Sequence, residues 1–211
     1  MVALATDSRY SCYYNYRPPR NEIPMTTSAT SNTAVPTGTW TVDPSHSKVG
    51  FAVKHMGIAT VRGEFKDLEG VLEISHDLSS AKARGTVRAA SVDTNEPQRD
   101  AHLRSPDFFD AEAFPELAFE STSIKAIDDE TFRITGNLTL HGVTNEIVLT
   151  AEINGTDVDP YGNEKVGLEI TGQISRGEYG MKFNQALGSG NMLVSDKVKL
   201  ALDISAIKQA A

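Results

Sequence analysis

The sequence predicts an all-β fold, an antiparallel barrel of about eight strands over residues 38–208 with a short helical insert at about 97–115. Three observations predict it. Apolar and polar residues alternate with period two from Trp40 onward, the mark of strands buried on one face. Turn-forming clusters separate the alternating runs, and one-sided strands need a shared interior. Closing the sheet on itself supplies that interior and removes its edges, so a barrel follows more naturally than a sandwich.

The strands can be taken in order. Val49, Phe51 and Val53 share a face against Lys48 and Lys54; Ala59, Val61, Gly63 and Phe65 alternate with Thr60, Arg62 and Glu64. Leu72 and Ile74 flank Glu73, and Ala83, Gly85, Val87 and Ala89 interleave with Arg84, Thr86 and Arg88. Leu117 and Phe119 flank Ala118. Phe132, Ile134, Gly136, Leu138 and Leu140 alternate with Arg133, Thr135, Asn137 and Thr139. Three further runs follow: Ile147 to Ile153, Val166 to Ile174 and Val198 to Ile204. Turns are expected at 77–80, 128–130, 141–145 and 159–163. The stretch 97–115 has no alternation, carries many charges and clusters Phe108, Phe109 and Phe114, which reads as helical turns across one barrel end.

Residues 1–37 differ in kind. Positions 26–38 are rich in Ser, Thr, Pro and Ala with no charge, and positions 9–20 hold four tyrosines, three arginines and a Pro pair. Such a composition cannot build a core and is expected to be disordered, with Met25 an alternative start. The segment MVALATDSRYSCYYNY has no basic n-region, apolar h-region or small-residue cleavage site, and a cytoplasmic protein is expected.

The formal net charge of -8 argues against nucleic acid and against an anionic membrane surface, although a local basic patch is compatible with an acidic average. Taking Arg9, Arg17 and Arg20 from 20 basic residues, and Asp7 and Glu22 from 28 acidic ones, leaves the domain at 17 against 26, or -9. The lone Cys12 precludes an intrachain disulfide, and no apolar run of membrane-spanning length occurs.

Four glycines, Gly63, Gly85, Gly136 and Gly172, fall on the inward series. They permit two readings: missing side-chain volume that leaves an apolar cavity, or strand coiling and bulging in a filled barrel. No nucleophile elbow, HExxH, P-loop or CxxC motif is present, and the five histidines are too widely spaced for a local metal motif. His46 with Asp43, and His102 with Asp100, suggest structural hydrogen-bonded pairs. An enzyme would use Asp100 and His102 as an acid/base pair, whereas charges at 99–107 otherwise cap helix ends and lock the insert to the barrel.

Five segments carry a family resemblance: GTWTVDPSHSKVGFAVKHM (38–56), VRGEF (61–65), SVDTNEPQRDAHLRSPDFFDAEAFPELAFES (91–121), ITGNLTLHGVT (134–144) and ISRGEYGM (174–181). In that order they resemble the YceI family of polyisoprenoid-binding proteins across about 170 residues. The resemblance implies a lipocalin-like barrel with a long apolar channel, no catalysis, an isoprenoid-type lipid as ligand and, often, pairing into homodimers; no cofactor is expected beyond that lipid, and no metal, given the spacing of the histidines. The resemblance has Trp40, Phe51, Val53, Phe65, Phe119, Phe132, Leu138 and Ile174 line or close the channel. His46, Asp100 and His102 sit in signature motifs, with structural roles or positions near a polar ligand head. Three functional readings therefore stand: a lipid carrier, an enzyme working at the Asp100/His102 end, and a filled barrel acting through its surface.

Overall fold

The alternating runs pair into a single antiparallel sheet that returns on itself. The computed structural model describes residues 37–75 and 78–210; the N-terminal tail and His76 lie outside the described residues. Among the described residues eleven strands form: β1 (Gly38–Val42), β2 (Lys48–His55), β3 (Ala59–Phe65), β4 (Leu68–Ile74), β5 (Lys82–Arg88), β6 (Val92–Asp93), β7 (Glu116–Ala126), β8 (Thr131–Leu140), β9 (Val143–Val158), β10 (Glu164–Ser175) and β11 (Val194–Lys208). The α-helix among these residues, α1 (Pro97–Arg104), follows β6.

Eight of these make the barrel, in the order β1-β4-β5-β7-β8-β9-β10-β11, closed where Trp40, Thr41 and Val42 of β1 face Lys208, Ile207 and Ala206 of β11. The extra strands arise because one long edge is shared. A 3₁₀ turn at Pro44–His46, capped by Asp43 accepting from the Ser45 N–H, ends β1. β2 then takes over the rest of β11, pairing Val49 with Leu202 and Val53 with Val198, and β3 and β6 extend the sheet beyond it.

Local chemistry fixes the register. β8 turns into β9 through His141 and Gly142, both with positive φ (53° and 73°), the two-residue hairpin geometry that matches strand twist. Bulges coil the long strands: Thr122 is skipped between Ser121↔Gly136 and Ser123↔Thr135, and the β9–β10 register shifts at Gly167/Leu168. The expected alternation holds: Ile147, Leu149, Ala151 and Ile153 of β9 and Val166, Leu168, Ile170 and Ile174 of β10 are all buried.

The charged insert is held by side-chain bonds to backbone. Glu96 caps α1, with Pro97 at its first position. The carboxylate of Asp100, almost wholly buried, accepts from the Thr94 N–H (2.9 Å) and hydroxyl (2.5 Å). Arg99 donates to the Thr94 hydroxyl and carbonyl, and Arg104 to the carbonyls of Ala90 and Val92. Beyond α1, Phe109 drives its ring against Phe65 (5.4 Å) and Phe51 (6.4 Å), anchoring the insert to the barrel core.

Candidate ligand cavity

The inward side chains converge without filling the barrel. They enclose a cavity of about 500 Å³, within the range of small-molecule sites. Its wall is apolar: Val49, Phe51, Leu72, Phe119, Leu138 and Leu200 line it together with residues of every barrel strand except β1's Trp40 end. These six are only partly buried, although all point to the interior. Inward side chains that retain accessible surface are the direct sign that the protein's own atoms do not complete its core. The filled-barrel reading is overturned on that ground.

Glycine volume is not what makes the cavity. A Cβ on Gly63 would lie 2.4 Å from the Phe51 ring, on Gly136 2.4 Å from the Phe119 ring, and on Gly172 2.5 Å from a Leu149 methyl. Each glycine lets a large neighbour lie flat over it. Gly85 is different. A Cβ there would meet only the Glu69 carbonyl oxygen, at 3.4 Å, and Gly85 lines the cavity between Gly70 and Phe119.

Seven of the residues expected along the channel line the cavity: Phe51, Val53, Phe65, Phe119, Phe132, Leu138 and Ile174. Trp40 does not. Its indole is fully buried where β1 joins β4 and β11, with the Lys208 ammonium 5.7 Å from the ring centre, so it closes the barrel rather than touching the interior space. His46 also lies away from the cavity, exposed, with Nδ1 2.7 Å from Asp43 Oδ2. Burial pushes the Asp43 carboxyl up, but hydrogen bonds from His46, Lys165 and the Ser45 N–H outweigh it and hold it below its ordinary range.

Asp100 and His102 are not paired. Two residues apart on a helix, they point in different directions. Asp100 turns to Thr94, whereas His102 Nε2 lies 2.8 Å from Asp107 and its ring meets Phe108 (5.0 Å) and Phe183 (4.8 Å) edge-on. His102 lines the cavity; Asp100 serves the fold. Among the described residues, no three His, Cys, Asp or Glu side chains gather as a metal-binding group.

The largest surprise at the cavity wall is Arg176, which is 5% exposed. Its guanidinium donates to the carbonyls of Ser195 (3.0 Å), Met181 (2.9 Å) and Val194 (3.4 Å), clamping the β10–β11 connection. Burial pulls its pKa below the ordinary arginine value, with the negative charge of Asp196 opposing. Nothing in the segment ISRGEYGM distinguishes a buried arginine from an exposed turn residue. Met181 and Phe183 join the wall from the same connection.

A closed antiparallel barrel with an apolar chamber and a short helical insert packed onto it defines the class. The chain belongs to the YceI-like domain family, whose model matches residues 40–206. It is 35% identical over 162 residues to a UPF0312 protein of Staphylococcus aureus, covering 76% of this chain and 92% of that one. A UPF0312 protein of Photorhabdus laumondii is 38% identical over 138 residues, 65% of this chain and 71% of the relative. Among solved structures, the Campylobacter jejuni YceI protein matches with a TM-score of 0.64 at 33% identity, covering 74% of this chain and 90% of its own. A polyisoprenoid binding domain from Saccharophagus degradans shares the fold, with a TM-score of 0.61 at 15% identity over 81% of this chain and 98% of its own.

Proposed function

We propose that this protein is a non-catalytic carrier that holds a polyisoprenoid or similarly long apolar lipid inside the barrel. The observation that carries the reading is the chamber of about 500 Å³ whose inward apolar side chains keep accessible surface. Covering that surface with hydrocarbon is favourable whatever the ligand's head. A five-carbon isoprene unit contributes about 4 kcal/mol at about 0.8 kcal/mol per buried carbon. Loss of translational and rotational freedom costs about 4–15 kcal/mol, so useful affinity requires several units in the chamber.

The wall offers little to a reaction. Two of its polar members, Arg176 and His102, already bond to backbone carbonyls and to Asp107. Family membership supports the ligand class, and the Saccharophagus domain is named for it. The test is organic extraction of natively purified protein followed by mass spectrometry. A stoichiometric apolar compound is expected; repeated preparations with nothing above background sink the reading.

A further inference from the structure

The geometry points to a membrane-docking tip: the β2–β3 turn and the 187–191 hairpin insert into an anionic phospholipid bilayer and bring the cavity wall to it. This deepens the carrier reading and rests on it. The two loops form one unit. The Met56 N–H donates to the Leu193 carbonyl (2.9 Å), and Asn191 Nδ2 donates to the Met56 carbonyl (3.3 Å). At their surface stand Ile58 (77% exposed), Met192 (47%) and Met56 (36%). Large apolar side chains gathered at a loop tip mark an interaction site. Met56 and Gly57 both adopt positive φ (55° and 76°), a conformation non-glycine residues seldom take, and it turns this apolar tip outward.

The tip is continuous with the cavity. His55, adjacent to Met56, and Leu193, adjacent to Met192, both line the chamber, as do Val194 and Phe183. The wall therefore becomes exposed apolar surface within one residue on each of the two loops.

Charge selects the partner. Although the domain is acidic, the outer face of β2, β3 and β11 beside the tip carries Lys54, Arg62, Lys197 and Lys199, all exposed. The register places Arg62 and Lys199 on either side of Ala52, with Lys54 two residues nearer the tip on β2 and Lys197 two residues before Lys199 on β11. The next acid on β3, Glu64, is already engaged by Lys48 and Lys66. Asp196 is the acid within the patch, and its carboxylate accepts from the Gly177 N–H. A basic rim around an apolar tip matches an anionic leaflet, where each surface cation strengthens binding about fivefold. The net charge of -8 averages over this local basic patch.

The experiment is flotation of the full chain with vesicles of phosphatidylcholine alone, or of phosphatidylcholine with phosphatidylglycerol, alongside lipid extraction from every variant. Binding is expected with phosphatidylglycerol, weakening as salt rises, and not with phosphatidylcholine alone. Lys197→Gln combined with Lys199→Gln should weaken it about 25-fold, and Ile58→Ser about tenfold through lost apolar insertion. Both variants alter exposed positions and should keep the wild-type lipid content. Equal flotation with both vesicles, variants that bind like wild type, or no flotation at all overturns the docking surface. Capture by polyglutamate in place of vesicles overturns it in favour of an acidic protein partner. Vesicle binding by a chain that yields no lipid on extraction sinks the carrier reading and leaves docking intact.

Discussion

Gly85 is the position where occupation of the chamber can be separated from folding. Gly85→Leu adds four carbons on the inward face, between buried Ala83 and Val87, where a Cβ meets only one carbonyl oxygen at 3.4 Å. The backbone there has no positive φ, so a leucine is not strained. Replacing a strand glycine should itself stabilise by about 0.4–1 kcal/mol through the unfolded chain, as the native conformation is compatible. For a bound hydrocarbon, four displaced carbons at about 0.8 kcal/mol each remove about 3 kcal/mol, a loss of affinity of roughly 200-fold. Gly136→Leu is the matched control. It collides with the Phe119 ring at 2.4 Å and the Glu120 carbonyl at 2.6 Å, and should cost about 1–3 kcal/mol as overpacking. Urea denaturation measures stability, and quantified extraction or displacement of a fluorescent fatty-acid probe measures retention. Gly85→Leu that holds its ligand as tightly as wild type refutes occupation of this chamber. Gly85→Leu that loses more than about 2 kcal/mol of stability refutes the geometry of the chamber itself.

Arg176→Met should remove three hydrogen bonds to backbone carbonyls, one buried and two half-buried, and cost about 2–4 kcal/mol, seen as a lower urea midpoint; a change below about 0.5 kcal/mol contradicts the clamp. Asp100→Ala leaves the Thr94 N–H and hydroxyl without their acceptor and should cost about 2–3 kcal/mol, with proteolysis first appearing in residues 94–104. The depressed Asp43 carboxyl stabilises the fold fully above its ordinary value of 3.8, and that contribution fades as pH falls through 3.8 to the lower folded value. Asp43→Asn should therefore flatten the acid limb of stability against pH, measured by thermal melts, while leaving neutral lipid retention unchanged. His102→Ala should retain lipid within about threefold of wild type if its role is packing against Phe108 and Phe183, whereas an enzyme centred there loses all turnover.

The barrel was legible because each strand has one wet and one dry face, and parity alone sorts Ile134, Leu149 and Ile170 inward. The strand count was harder to read. β1 is only five residues long before the 3₁₀ turn at Pro44, and a two-residue β6 is too short to show any period. The helix could be placed only by the absence of alternation, since polar side chains bonded to backbone, rather than an apolar stripe, hold it in place. For the same reason the spacing of Asp100 and His102 suggested a pair. A helix puts residues two apart on different sides, and each found another partner. The lining residues followed from parity, but the chamber did not. Whether a glycine leaves space depends on the neighbour across the sheet, and Phe51, Phe119 and Leu149 each lie over one.

Arg176 shows why binding suits this interior better than chemistry. A buried guanidinium is tolerable only when its donors are met, and here the backbone carbonyls of the β10–β11 connection meet them. The same bonds fix Val194 and Met181, so the charge is used to hold the cavity wall in shape. A catalytic group must instead keep a lone pair or proton directed at a substrate. The surface that faces the chamber is predominantly hydrocarbon. Hydrocarbon discriminates by length and girth rather than by functional group.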